Sequence, residues 1–125
     1  MEFFRIINRK TTEKNIQSKI NLSTLDSFLS ETFVLEYHTP NSATIGSQWG
    51  EFTLKFDKIK GGVRFYLVEC PNALAWTITT GYDPAPDKII LHLTINRKEK
   101  EQKFIEEINA FLDDWEEGLK NKIQY

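Results

Sequence analysis

Reactive groups are sparse in this chain: two histidines, His38 and His92, one cysteine, Cys70, and a run of carboxylates toward the C-terminus. A histidine serves as a general base only with a nucleophile or an orienting carboxylate in hydrogen-bond reach. The alternation of Lys88–Ile95 (KIILHLTI) sets His92 on the less apolar face of a strand, with Thr77 and Thr79 as its expected cross-strand neighbours. No serine, cysteine or acid is clearly brought to it, so His92 reads as structural. His38, in or before a loop, offers less. Cys70 precedes Pro71 at a strand end without an activating base and reads as a small buried hydrophobe. Because it stands alone, an intrachain disulfide and a thiolate zinc site are both excluded. Asp83 and Asp87 in YDPAPD lack the alternating ligands and central glycine of a calcium loop. Lys58, Lys60 and Arg64 gather around Gly61–Gly62, but that glycine pair opens no helix that would receive a phosphate. These readings point away from an enzyme, and no metal or cofactor is expected.

What remains is acidity. Residues 101–117 hold seven acids (Glu101, Glu106, Glu107, Asp113, Asp114, Glu116, Glu117) against Lys103 alone, a local charge of −6 in a chain of net −2, so the remainder carries +4. Carboxylates late in a helix oppose its dipole at about 0.3–1 kcal/mol each, and acids one turn apart repel one another. A helix selected for stability alone would place lysines there. Two readings stand side by side: a solvated face that keeps the protein soluble, and a docking surface that steers a basic partner. On the second reading the partner contacts are Glu106, Glu107, Asp113, Asp114, Glu116 and Glu117, joined by Tyr82, Asp83 and Asp87 of an exposed turn. Trp115 stands among these acids, but its spacing from Ile108, Phe111 and Leu112 makes it a core residue.

An α+β architecture must position these residues. Within Asn96–Tyr125, Phe104, Ile105, Ile108, Phe111, Leu112, Trp115 and Leu119 recur at steps of three and four, which predicts a long C-terminal helix over about 97–122. Asn96 is its expected N-cap, with Glu99 as the reciprocal partner. Before it, period-two alternation predicts a four-stranded antiparallel meander over about 50–95. Its inward residues are Phe52, Leu54 and Phe56, then Val63, Phe65 and Leu67, then Trp76 and Ile78, then Ile89, Leu91, Leu93 and Ile95. Gly61–Gly62 and Pro71–Asn72 supply turns, and the prolines of Tyr82–Asp87 impose a loop. Upstream, Glu2–Ile7 and Phe33–Tyr37 read as strands, and Asn21–Thr32 as a short helix capped by Ser23 with Asp26 three residues on. Arg9–Lys19 reads as a solvated connector and His38–Gln48 as the longest loop. The second sheet face carries Tyr66, Val68, Thr77, Thr79 and Ile90, and is either half covered by the N-terminal elements or open for binding.

One domain over residues 1–125 follows from the length, with folding hiding roughly two-thirds of the unfolded surface. Hydrophobic residues at 40% and charged at 27% describe a globular chain and exclude a disordered one. The near-zero net charge argues against gathering nucleic acid. MEFFRIINRK is too short in apolar residues for a secretory leader, and no stretch approaches the ~20 apolar residues of a membrane span. The expected location is therefore the cytoplasm. A four-stranded meander followed by a helix resembles, in element order, the repeat unit of the Whirly and PUR single-strand nucleic-acid-binding folds. A small domain, acidic in patches and without catalytic residues, is also similar in kind to bacterial immunity proteins, which neutralise a toxin by covering it. The expectation carried forward is a bacterial immunity or antitoxin-type inhibitor of a basic, toxin-like protein such as a nuclease. It is monomeric or homodimeric, since an uncovered face or edge strand would pair two copies. A single-strand nucleic-acid binder is the alternative.

Overall fold

The computed structural model describes residues 1–70, 72–96 and 101–123. In chain order they form β1 (Glu2–Ile7), α1 (Glu13–Lys19), a 3₁₀ turn (Leu22–Thr24) running into α2 (Leu25–Phe28), and β2 (Phe33–Thr39). Then follow β3 (Ser42–Ser47), β4 (Gly50–Ile59), β5 (Gly62–Leu67), β6 (Ala75–Thr80), β7 (Ile89–Thr94) and α3 (Gln102–Lys122). All strands join one antiparallel sheet of seven in the order β1-β7-β6-β5-β4-β3-β2. The expected meander is the middle of that sheet. β2 and β3 extend it on one side, and β1 returns from the start of the chain to close the other. With seven strands in place of four, the likeness in element order to a Whirly or PUR repeat lapses.

Three local expectations are corrected. His38–Gln48 is not a loop: a turn at Pro40–Asn41 joins β2 to β3, and Ala43 and Ile45 lie opposite Leu54 and Phe52 in the core layer. Serines, a glycine and an alanine dilute the strand signal there, and burial against β4 supplies what propensity lacks. Arg9–Lys19 is not a plain connector: Thr12 caps α1 by accepting from the Asn15 N–H at 3.1 Å, and Ile16 and Ile20 are fully buried. Asn21, not Ser23, caps the next turn. Its Oδ1 accepts from the Thr24 N–H, and Thr24 Oγ1 accepts from the Asn21 N–H, each at 3.1 Å.

The start of α3 also differs. Asn96 is not its cap, because the Asn96 N–H donates to the Asn72 carbonyl at 2.7 Å and prolongs the sheet. The helix begins at Gln102, with Glu101 as the extended residue before it, and Glu99 lies outside the described residues.

One face of the sheet carries every helix. Ile7, Leu91, Ile78, Phe65, Leu54 and Ile45, one from each of six strands, are buried with Ile16 and Ile20, with Leu25 and Phe28, and with Ile108, Phe111, Leu112, Trp115 and Leu119 of α3. Trp115 is core, as its spacing indicated. Its ring lies 5.8 Å from Phe65 and 5.9 Å from Phe28, and Phe111 meets Trp76 edge-on at 4.9 Å. The indole nitrogens of Trp76 and Trp115 have no acceptor among the described residues, a cost that the large apolar area of each ring must outweigh.

Candidate protein-binding surface

The carboxylates of α3 divide into two groups. Arg5, on the helix-bearing face of β1, reaches across to α3 and donates to Asp113 Oδ1 at 2.7 Å, to Glu116 Oε1 at 3.3 Å and to Asn109 Oδ1 at 3.2 Å. Glu116 is shared with Lys120 at 3.0 Å. Burial opposes the charge on the Arg5 guanidinium. The hydrogen bonds and attraction of Asp113, then of Glu116, outweigh that and hold its pKa above the ordinary value. The hydrogen bond from Lys120 holds Glu116 below the usual glutamate value against its partial burial, with Arg5 adding to the effect. Asp114 works on the other flank of the helix. Its two oxygens accept from the Ser30 N–H and the Ser30 hydroxyl at 2.9 Å each and from the Glu31 N–H at 3.3 Å, tying down the loop between α2 and β2.

Asp113, Asp114 and Glu116 therefore have structural partners. Glu106, Glu107 and Glu117 take no part in either set of contacts. Glu106 and Glu117 are exposed, Glu107 is half-buried, and Glu106 accepts from Gln102 one turn earlier.

Tyr82, Asp83 and Asp87 occupy an exposed loop, as their prolines require, but it does not join the helix acids. Tyr82 donates its hydroxyl to the Lys60 carbonyl at 2.8 Å and lays its ring on Gly61. Gly61 has φ +90°, and its N–H donates to Glu13 Oε2 at 2.6 Å. The loop thus buttresses the β4–β5 turn and α1. Asp83 and Asp87 stay exposed at its tip.

The sheet face away from the helices is open, which answers the question of its cover. It presents Phe4, Ile6, Val68, Phe33 and Leu35, each half exposed or more. Phe4 stacks on His92 with centroids 4.2 Å apart and planes 3° from parallel, and Glu2 Oε1 lies 3.1 Å from His92 Nε2. A carboxylate is thus brought to His92 after all, from a strand 90 residues away in sequence. The alternation of EFFRII carried the missed signal, because both of its faces are largely apolar and the lone Arg5 needs a partner. Further along the face, the Arg64 guanidinium lies 4.5 Å over the Tyr66 ring, and Lys55 stands opposite Tyr66. Glu69 is held below the usual glutamate value by hydrogen bonds from the backbone N–H and then the hydroxyl of Thr53. His38 meets Thr44 Oγ1 at 2.7 Å, and Cys70 is partly buried, packed against the core. No set of three histidine, cysteine or acidic side chains suited to a metal occurs among the described residues, and no described helix is long and apolar enough to cross a membrane.

Compared with protein-family models and with curated protein sequences, the chain matches none.

Proposed function

We propose that this protein is a non-enzymatic binding module of the immunity or antitoxin type, which covers a basic partner such as a nuclease toxin. The division of the α3 carboxylates supports the reading. Asp113, Asp114 and Glu116 hold β1 and the α2–β2 loop to the helix, whereas Glu106, Glu107 and Glu117 are outside those contacts. Glu117 lies late in α3, where the helix dipole disfavours a carboxylate, and Glu106 and Glu107 repel other acids of the helix; the approach of a cationic surface relieves both.

The test is affinity purification of the tagged protein from its own cells with nuclease treatment, followed by kinetics on the partner recovered. A stoichiometric basic protein is expected, with toxicity relieved by co-expression. The triple variant Glu106→Lys, Glu107→Lys, Glu117→Lys should slow association about tenfold or more at low salt and flatten its salt dependence. Unchanged association in that variant overturns the acidic-surface version of the reading.

A second reading, single-strand nucleic-acid binding, is favoured by Arg64 over Tyr66 with Lys55 adjacent on the open face, since stacking platforms bordered by bases bind single strands. It requires micromolar or tighter oligonucleotide binding that weakens steeply with salt. Binding that is absent at low salt dismisses it.

A further inference from the structure

The two edges of the sheet are unequally protected. β2 undergoes register shifts between Val34 and Glu36 and again between Tyr37 and Thr39, and the Val34 N–H is taken by Asp26 Oδ1 at 3.1 Å. Bulges and a capped N–H are devices that blunt an edge against further pairing. β1 has neither. It pairs β7 without a shift over six consecutive residues, Glu2 to Ile7.

The hydrogen-bond parity of β1 follows from its first pair. The Met1 nitrogen donates to the Ile95 carbonyl at 2.8 Å and the Ile95 N–H to the Met1 carbonyl at 3.0 Å, which makes Met1 and Ile95 a hydrogen-bonded pair. Antiparallel pairs alternate, so Phe3, Arg5 and Ile7 face β7 with their backbone groups, and Glu2, Phe4 and Ile6 turn theirs to the free edge. Those same residues put Phe4, 59% exposed, and Ile6, 52% exposed, on the open sheet face.

We infer that β1 pairs with β1 of a second copy, antiparallel about a two-fold axis at Phe4, joining two sheets edge to edge. In that register Phe4 faces Phe4 of the other copy, Glu2 faces its Ile6, and Arg5 faces its Phe3. No like charges stand directly opposite. The neighbouring registers are worse: one puts Arg5 against Arg5, and the other aligns Glu2 with Phe4 and leaves Ile6 unpaired. The helix side is complementary as well. Asp113 is 69% exposed even while it binds Arg5, so two arginines and two accessible aspartates gather around the axis. On the open face, Phe4 and Ile6 of both copies become one covered apolar patch. The contact is isologous, and with β2 blunted the assembly closes at two copies and does not grow into a fibre. One strand pair with its flanking side chains lies near the lower size of specific interfaces, about 1,000 Å², which gives a dimer that dissociates on dilution. The inference does not depend on the toxin-binding reading.

Sedimentation velocity across about 1 to 500 µM tests it, a range that brackets the micromolar dissociation constant expected of such a contact. The wild type should pass from monomer to dimer. Phe4→Lys, which sets two lysines face to face, and Ile6→Pro, which removes an edge N–H without breaking a bond to β7, should both remain monomeric with unchanged circular dichroism. Amide exchange at Glu2, Phe4 and Ile6 should slow with protein concentration in the wild type alone. A wild type monomeric throughout, or a dimer that survives both substitutions, overturns the inference. A monomer whose capture of a partner protein is lost in Phe4→Lys would instead assign the edge to a foreign strand.

Discussion

At the scale of single residues, the acids of α3 differ by what each one touches. Glu116 is the clearest case, because its pKa is depressed below the ordinary 4.5 by Lys120 first and then Arg5. A carboxylate with a lowered folded-state pKa contributes stability that is complete above its unfolded value and is lost as pH falls through the folded one. Glu116→Gln should therefore cost about 0.5–1 kcal/mol at pH 7, the range for partly exposed ion pairs. The deficit relative to wild type should close as the pH drops below 4.5, and urea titrations at both ends of that interval measure it. A deficit independent of pH would mean that lost packing, not the ion pair, is responsible. Asp114 is different, since it accepts three hydrogen bonds from Ser30 and Glu31. Asp114→Ala leaves those donors to water and should cost about 1–2 kcal/mol, comparable to losing a helix cap.

At the scale of elements, close approach overrides propensity. Gly118 lies inside α3, where alanine is favoured over glycine by about 1 kcal/mol. A methyl group there would run into the backbone carbonyl of Phe28, which the α2–α3 contact holds in place. Gly118→Ala should thus destabilise by about 1–3 kcal/mol, the cost of overpacking, and not stabilise. Thermal unfolding followed by circular dichroism decides the sign. The β4–β5 turn makes the same point in a different element. Gly61 has φ +90°, and a side chain there would strike Tyr82, so the Tyr82 loop and the hairpin are read together as one unit.

For the whole molecule, a sheet clothed on one side predicts unequal sensitivity of its two faces. Phe65 is fully buried beneath Trp76 and Trp115, whereas Phe4 is 59% exposed on the bare side. Phe65→Ala should cost about 3–5 kcal/mol and Phe4→Ala less than about 1 kcal/mol, with urea midpoints measured in dilute protein. Near-equal costs would mean that the open face is covered in solution. The arrangement also separates roles in space. The helix side binds the fold together, and the outer row of α3, the bare sheet face and the β1 edge are left exposed.

How much of this was legible before any coordinates follows from which interactions are local. The stripe of α3, the β4–β5 turn, the exposed loop at Tyr82–Asp87 and the inward residues of β4 to β7 all rest on periodicity and turn chemistry within a few residues, and all stand in the structure, except that the turn lies at Lys60–Gly61 and Gly62 already opens β5. Trp115 was readable as core for the same reason. Elements that depend on distant partners were not readable. β3, with Ser42, Thr44, Gly46 and Ser47, is a strand because β4 lies beside it, and α1 is a helix because the sheet buries Ile16 and Ile20. The role of the helix acids was hidden likewise, since Arg5 is 108 residues from Asp113 and Ser30 is 84 from Asp114. Period and turn type are properties of a segment. Which charge finds which partner, and which sheet face is left bare, are properties of the chain closing on itself.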